Sequence, residues 1–469
     1  MLFAAALVTR CWDLFRPLAV IFDEALYESY ISHYFDGSYY FNLHPPVGKL
    51  FLAFGAWMLG VPGSTLAEPA PAVALRVLPA VAGALIIPLF YVMLRQLGAH
   101  RRIALLAGVL LLCDNALLSV SRLILVDSLL IALMLGAIVS WLASRPRTGR
   151  TRWALIVLAS VLGGLAVGVK WTGLGALAVI GLMWLGELVE TTAAGGASAI
   201  GRRTGLTERG VEALVLGAGA ALVYAGAFAV HFALLPYAGH DDHEMSAAFQ
   251  ETLIGNVTYR ADARVSFAAK LVDIHRAMRR GNASYETSTH IGASPWWSWP
   301  ILKHPLYIYD GTTSREADGR AAHVFIEGNP VVWWAIIAGF AAIGAGLATK
   351  RGRDRLAPHR RALLVTFGGW VINYLPFAFI SRILFLYSYL PALAFSLAFA
   401  AIGVGALLGW DAGDAREWRA MPSRRSAMTY WGVAGLTLAS FLYFAPLSYG
   451  TPISDAAFDQ RRWVLERHW

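Results

Sequence analysis

Strongly apolar stretches recur along almost the whole chain, centred near residues 85, 110, 135, 160, 180, 222, 340, 370, 398 and 437, with short polar or basic segments between them. A helix crossing a bilayer needs ~20 predominantly apolar residues. An eleventh run, Met1 to about Phe22, is interrupted by Arg10, Asp13 and Arg16. It has neither a basic leading segment nor a small-residue cleavage site, so it reads not as a signal peptide but as a first transmembrane helix lacking its initial turns. The pattern predicts an all-α polytopic membrane protein with about eleven transmembrane helices, a single integral membrane domain over residues 1–469. Composition agrees. Of 469 residues 57% are hydrophobic and 15% charged, and the mean hydropathy is +0.54, which excludes an ordinary soluble globule. Cys11 and Cys113, the only cysteines, both lie in apolar runs, so neither a disulfide framework nor a cysteine-based metal site is indicated.

The net charge of +9 becomes informative loop by loop. Arg95, Arg101 and Arg102 share one loop, Arg145, Arg147, Arg150 and Arg152 the next, and Arg202, Arg203 and Arg209 a third. Lys350, Arg351, Arg353, Arg355, Arg360 and Arg361 follow, then Arg416, Arg419, Arg424 and Arg425. If eleven helices alternate, all twenty charges fall on one side, which the positive-inside rule makes cytoplasmic. The N-terminus is then cytoplasmic, and the segments 22–72, 237–329 and the tail 448–469 are external. Were Val47 to Val61 a span, every later basic loop would flip outside; that run is read instead as an amphipathic helix in the outer interface, started by Pro45-Pro46. Topology accounts for the positive charge, and no nucleic-acid partner is implied.

Within 237–329, the cluster His240, Asp241, Asp242, His243 and Glu244 matches no strong metal template and reads as a solvated loop. A basic amphipathic stretch runs from Arg264 to Arg280. Trp296, Trp297 and Trp299, beside Pro295 and Pro300, suit a rigid aromatic wall, whether as membrane anchors or as substrate contacts.

The most unusual stretch is 20–49, VIFDEALYESYISHYFDGSYYFNLHPPVGK. Asp23 and Glu24 follow an apolar run directly, where an ionisable residue is a functional hypothesis; two solvated loop carboxylates are the plain alternative. A partly desolvated carboxylate can have a raised pKa suited to accepting a proton. Tyr27, Tyr30, Tyr34, Tyr39 and Tyr40, a rigid His44-Pro45-Pro46 turn and Lys49 complete the stretch. Arg122, Lys170 and Arg382 stand at external helix ends, where orientation requires no cations. An anionic phosphate at headgroup level would account for them; snorkelling to lipid headgroups is the alternative. Asp127 is a partner for one of these cations, a second carboxylate of the site, or a helix N-terminal carboxylate.

Asp23-Glu24 followed by aromatics and HPPVGK resembles the first external loop of the protein O-mannosyltransferases, GT-C glycosyltransferases that take a sugar from a polyprenyl-phosphate lipid such as dolichyl phosphate. SRLILVDS at 121–128, GLAVGVKWTGL at 164–174 and SRILFLYSYLPAL at 381–393 agree in order and kind, so the resemblance covers nearly the whole chain. It implies Asp23 as the catalytic base with Glu24 beside it, and a cavity bordered by Asp127. Arg122, Asp127, Lys170 and Arg382, with His44 and Lys49, are the candidate contacts to donor phosphate or sugar. Trp296, Trp297, Trp299, Tyr387 and Tyr389 are the candidate substrate wall. The external residues 237–329 are too few for the β-trefoil domain of eukaryotic members, which implies the bacterial type, set in the cytoplasmic membrane with its active site facing the periplasm. In one departure, Ser388 stands where the family usually carries His, and Ser offers no imidazole for phosphate or acceptor.

The function expected is inverting transfer of a sugar, most simply mannose, from a polyprenyl-phosphate donor to Ser or Thr of an exported protein or peptide, with membrane lipid around it. The alternative within the class is transfer of another sugar, such as aminoarabinose, to a lipid or glycan acceptor. A secondary transporter would show paired repeats with broken midplane helices, whereas here the exceptional residues cluster at external helix ends. No cofactor is firmly implied, and dependence on a divalent metal stays open.

Overall fold

Apolar runs of the predicted length fold into helices along the whole chain. The computed structural model describes all residues but 62, 64–68, 194–198, 285–289, 413–420, 422 and 462–469. Arg416, Arg419 and the end of the external tail lie outside the described residues, as do the side chains of Arg202 and Arg203. Among the described residues nine helices are long and apolar enough to cross a membrane: Pro71–Gln96, Asp127–Ser144, Gly149–Val169, Trp171–Glu190, Gly205–Leu234, Pro330–Ala348, Lys350–Phe379, Leu386–Leu408 and Arg424–Tyr449. A tenth crossing results if Arg101–Leu112 and Asn115–Ser121, bent by 60°, count as one. The first expected helix is shorter than the sequence indicates: only Leu2–Cys11 is helical. Asp13 turns into the left-handed region at φ 46°, and Pro17 has no amide hydrogen to donate.

The bend between Leu112 and Asn115 frees backbone groups that lipid could not satisfy. Asp114 meets them from within the protein. Its carboxylate caps the second segment through the Leu117 N–H (2.9 Å) and accepts from the Trp333 indole (2.6 Å) and the Asn329 N–H (3.1 Å). Val47–Met58 is a helix of twelve residues, ~18 Å long at 1.5 Å per residue, too short to span.

Contacts join the five basic loops at one end of the bundle. Arg102 donates to the Ala412 carbonyl (2.9 Å), His359 pairs with Asp411 (2.8 Å), and Arg361 and Arg209 both reach Glu187 (3.0 and 2.7 Å). Arg145 binds Glu187 and Glu212 (2.9 and 3.1 Å), and Arg152 binds Glu208 and Glu212. The network shares Glu187, Glu208 and Glu212 among Arg145, Arg152, Arg209 and Arg361.

The opposite end carries the irregular segments. The amphipathic helix Glu24–Asp36 ends at Gly37, whose φ of 69° is the left-handed conformation of a helix C-terminus. Its tyrosines Tyr30 and Tyr34, with Tyr39 and Tyr40, pack with His231, Phe228 and Phe249 into a small core, onto which Phe267–Ser284 sets Ile274, Ala277 and Met278. The basic amphipathic stretch is thus a docked helix. One local departure from the all-α expectation is an antiparallel hairpin, Leu306–Asp310 with His323–Ile326.

This arrangement predicts that Thr148 and Ala247 lie on opposite sides of the membrane. Single cysteines there, in otherwise cysteine-free protein in sealed vesicles, should differ in labelling by an impermeant thiol reagent; equal labelling of both would contradict the alternation.

Candidate active site

Four segments converge at the end of the bundle away from the basic loops. The first is anchored by Glu24, fully buried and paired with buried Arg76: Nη2 to Oε2 at 2.7 Å and Nε to Oε1 at 2.8 Å. Glu24 also accepts the N–H groups of Ile21 (2.9 Å) and Ile124 (3.0 Å), while Arg76 donates to the carbonyls of Pro17 (2.9 Å) and Ala19 (2.7 Å). With both neighbours fixed, Phe22 takes φ 54°, a region that costs a bulky residue roughly 1–3 kcal/mol. Consequently Glu24 points into protein and Asp23 into a cavity.

The second and third segments are helix ends. Asp127 opens Asp127–Ser144, and Lys170 follows Gly149–Val169 in extended conformation. The Lys170 ammonium holds both Asp127 oxygens, at 2.7 and 2.8 Å, and lies 5.3 Å from the centre of the Tyr387 ring. Beside them the 42–49 turn is tied together by Asn42, whose Oδ1 accepts from the His44 N–H and from Lys49 Nζ, both at 2.9 Å; Lys49 also donates to the His44 carbonyl (2.6 Å). The fourth segment, after Lys350–Phe379, brings Arg382, Tyr387 and Ser388.

Two hollows share the wall formed by Leu43, His44, Asp127, Lys170 and Tyr387. One, about 480 Å³, is apolar with cations: Arg382 and Arg279 stand among Phe377, Phe379, Ile380 and Leu130. The other, about 470 Å³, is rich in carboxylates and hydroxyls: Asp23, Tyr27, Tyr30, Asn42 and Lys49, with Asp241 and Glu244. Arg382 also borders a third hollow, with His290 and Trp296. Among the described residues no three His, Cys, Asp or Glu side chains come together to hold a metal ion.

The local field is positive on the shared wall. Burial, and then Lys170, Lys49 and Arg382, hold the His44 imidazole well below its usual range, and burial followed by Lys170 depresses Lys49. Asp23 is raised, chiefly by burial and then by Asp127, with Lys170 and His290 opposing. A carboxylate so placed is a better proton acceptor than one in water.

A family model for the dolichyl-phosphate-mannose-protein mannosyltransferases matches residues 1–236, and one for the C-terminal four transmembrane region of protein O-mannosyltransferase matches 267–469. The chain belongs to the protein O-mannosyltransferase family. It is 31% identical over 346 residues to protein O-mannosyltransferase 1 of Drosophila pseudoobscura pseudoobscura, covering 71% of this chain and 36% of that protein. Against protein O-mannosyl-transferase 1 of Mus musculus the values are 33% over 288 residues, 56% and 37%. The chain thus spans little more than a third of the length of these curated relatives. Its fold is similar to the solved S. cerevisiae protein O-mannosyltransferase Pmt1-Pmt2 complex bound to the sugar donor: TM-score 0.86, 16% identity, 98% of this chain and 91% of that one. ArnT from Cupriavidus metallidurans, bound to undecaprenyl phosphate, gives 0.53, 15%, 96% and 76%. These likenesses are to GT-C glycosyltransferases, the architecture expected from the sequence.

Of the family residues picked from the sequence, Asp23, His44, Lys49, Asp127, Lys170, Tyr387 and Arg382 come together. Others do not. Glu24 lines neither hollow: Arg76 and two backbone amides use both its oxygens. Arg122 lines neither hollow: its guanidinium donates to the carbonyls of Arg10, Trp12 and Asp13 (2.9, 2.5 and 2.8 Å) and lies over Tyr449. The aromatic wall is divided. Trp296 borders the hollow at Arg382, Trp297 is exposed, and Trp299 is buried with its indole on Ser294. Tyr389 is likewise buried, bonded to Trp370 and Ser396. Residues missed in the sequence are Arg76, Asn42, Arg279 and His290, while Tyr27 and Tyr30, noted there only as part of the tyrosine-rich stretch, line the hollow of Asp23. Arg76 could have been found by extending the charge count, since it is another cation at a helix end away from the basic loops.

Arg76→Met should strand the buried Glu24 carboxylate and destabilise the fold by about 3–5 kcal/mol. Thermal unfolding of purified protein in detergent reads this, and Glu24→Gln added to Arg76→Met should restore part of the loss. A single variant as stable as the wild type would remove the pair from its anchoring role.

Proposed function

We propose that the chain transfers mannose from a polyprenyl-phosphate donor to a Ser or Thr hydroxyl of an exported protein, with inversion at the sugar's C1. The observation that carries this reading is the junction of two hollows of opposite character at the Lys170–Asp127 pair. An apolar hollow with Lys170 and Arg382 suits a lipid phosphate, because guanidinium and ammonium groups meet anionic oxygens with charge-assisted hydrogen bonds. The neighbouring hollow suits a sugar and an alcohol, offering the Asp23 carboxylate and the Tyr27 and Tyr30 hydroxyls. Family membership supports the donor class. The basic loops are taken as cytoplasmic, so the site faces outward.

In this reading the acceptor oxygen attacks C1 as Asp23 takes its proton. The bond from C1 to the phosphate oxygen breaks, and its electron pair leaves with the phosphate. Lys170 and Arg382 meet the charge that develops there, the kind of stabilisation that lowers such barriers most. Asp127 keeps Lys170 in position and contributes no proton transfer. Tyr387, against Lys170 and edge-on to Phe22 at 6.4 Å, closes the wall between the two hollows.

Asp23→Asn keeps size but removes charge and proton affinity, so single-turnover transfer should fall by about two to four orders of magnitude while donor affinity survives. Normal transfer by this variant would remove Asp23 as the base. The base must be ionised and its pKa is raised, so the wild-type rate should decline on acidification along a limb above the ordinary carboxylate value of ~3.9. Residual activity of Asp23→Asn should lack that limb. Arg382→Ala should weaken donor binding by about 1.5–3 kcal/mol and leave acceptor affinity nearly unchanged; unaltered donor affinity would assign Arg382 to anchoring.

A further inference from the structure

The helix Phe267–Ser284 lies across the mouth of the cation-bearing hollow. It is firmly held there. The His275 Nε2 accepts from the Tyr224 hydroxyl (2.7 Å), which in turn accepts from the indole of Trp171 (3.0 Å), the residue after Lys170; Nδ1 of His275 bonds the Leu271 carbonyl (2.6 Å). Ser246 N–H reaches Asp273 (2.9 Å), and Arg280 donates to the Glu244 carbonyl (2.8 Å). At Gly281 a Cβ would run into the Leu43 side chain, so glycine lets the helix end close against the 41–44 turn. The same helix lines the hollow with Asn282, whose amide is bonded to the Met278 carbonyl, and with Arg279, exposed beside the hollow that Lys170 and Arg382 also line. The Arg279 guanidinium makes no hydrogen bond or ion pair with a described residue, unlike that of Arg280.

We propose that Arg279 is a phosphate-binding residue selective for the product, the free polyprenyl phosphate, over the sugar-bearing donor. The inference rests on the functional reading above and adds a role within it. In the donor the phosphate is a diester with one negative charge. When the bond from C1 breaks, it becomes a monoester carrying about −1.5 to −2 at neutral pH. Lys170 is already shared with Asp127, so the added charge calls for a further cation. Arg279 stands at the mouth with its donors used by no described residue and meets that charge as the lipid phosphate departs.

The test is binding of polyprenyl phosphate and of polyprenyl-phosphate mannose to the full chain in neutral-lipid nanodiscs, comparing wild type, Arg279→Ala and Arg279→Lys. Arg279→Ala should lose about tenfold in affinity for the monoester, as expected for one charge-assisted contact, and under about threefold for the diester. Arg279→Lys should recover most of the loss. Equal losses for both ligands, or none, would overturn the proposal. So would a loss that occurs only when anionic lipid is added to the discs, which would assign Arg279 to bulk headgroups. A wild type that binds both lipids but transfers no mannose would sink the functional reading alone, since the monoester-to-diester ratio is measured without turnover.

Discussion

One fully buried ion pair, Arg76 with Glu24, sets the frame in which the candidate site is built. Taking both charges out of water costs several kcal/mol per ion, and such a pair is tolerable only when every remaining hydrogen-bonding position is also satisfied. Here that condition is closely met: two backbone amides complete the carboxylate, and backbone carbonyls of residues 14–19 complete the guanidinium. Because those groups come from separate segments, the pair ties residues 14–24 to the start of Val77–Gln96 and to the turn holding Ile124. Three residues beyond Ile124 stands Asp127. The two carboxylates that border the hollows, Asp23 and Asp127, are therefore positioned from one shared anchor.

The same anchor explains how adjacent carboxylates acquire opposite roles. A helix beginning at Glu24 would by itself leave Asp23 as an ordinary capping residue, yet Asp23 makes no side-chain cap bond. Fixing Glu24 inward and bending the chain at Phe22 turns Asp23 outward into a partly desolvated space, where burial raises its pKa. The strain at Phe22 thus sets where Asp23 points, and its ring is used as well, packed against Tyr387.

Much of this was legible in the sequence, for identifiable reasons. Helices long enough to span a bilayer announce themselves by length and hydropathy, and the one-sided placement of basic residues set Val47–Met58, a helix too short to span, apart from the longer apolar runs. The site residues that charge and motif pointed to, Asp23, Lys170, Asp127 and Arg382, sit at helix ends that the topology alone brings to one face. What failed was the separation of cations that serve the fold from cations that face a cavity. Arg122 and Lys170 look alike in the sequence, each ending an apolar run. Only packing reveals that backbone carbonyls of residues 10–13 surround Arg122, whereas the main partner of Lys170 is a carboxylate on the cavity wall. The aromatic residues failed similarly: Trp297 and Trp299 are two positions apart, and one faces out while the other is core.

That distinction also bears on how a hollow with so many cations remains stable when it is empty. Lys170 and Arg382 both line an apolar cavity, where like charges repel each other at a cost that grows as the local dielectric falls. Asp127, held at 2.7 and 2.8 Å, offsets one of those charges permanently. Removing Asp127 would therefore not simply free Lys170 to grip phosphate more tightly. It would release the ammonium from the two contacts that fix its place, and so weaken the contact that a more naive count of cations would expect to strengthen.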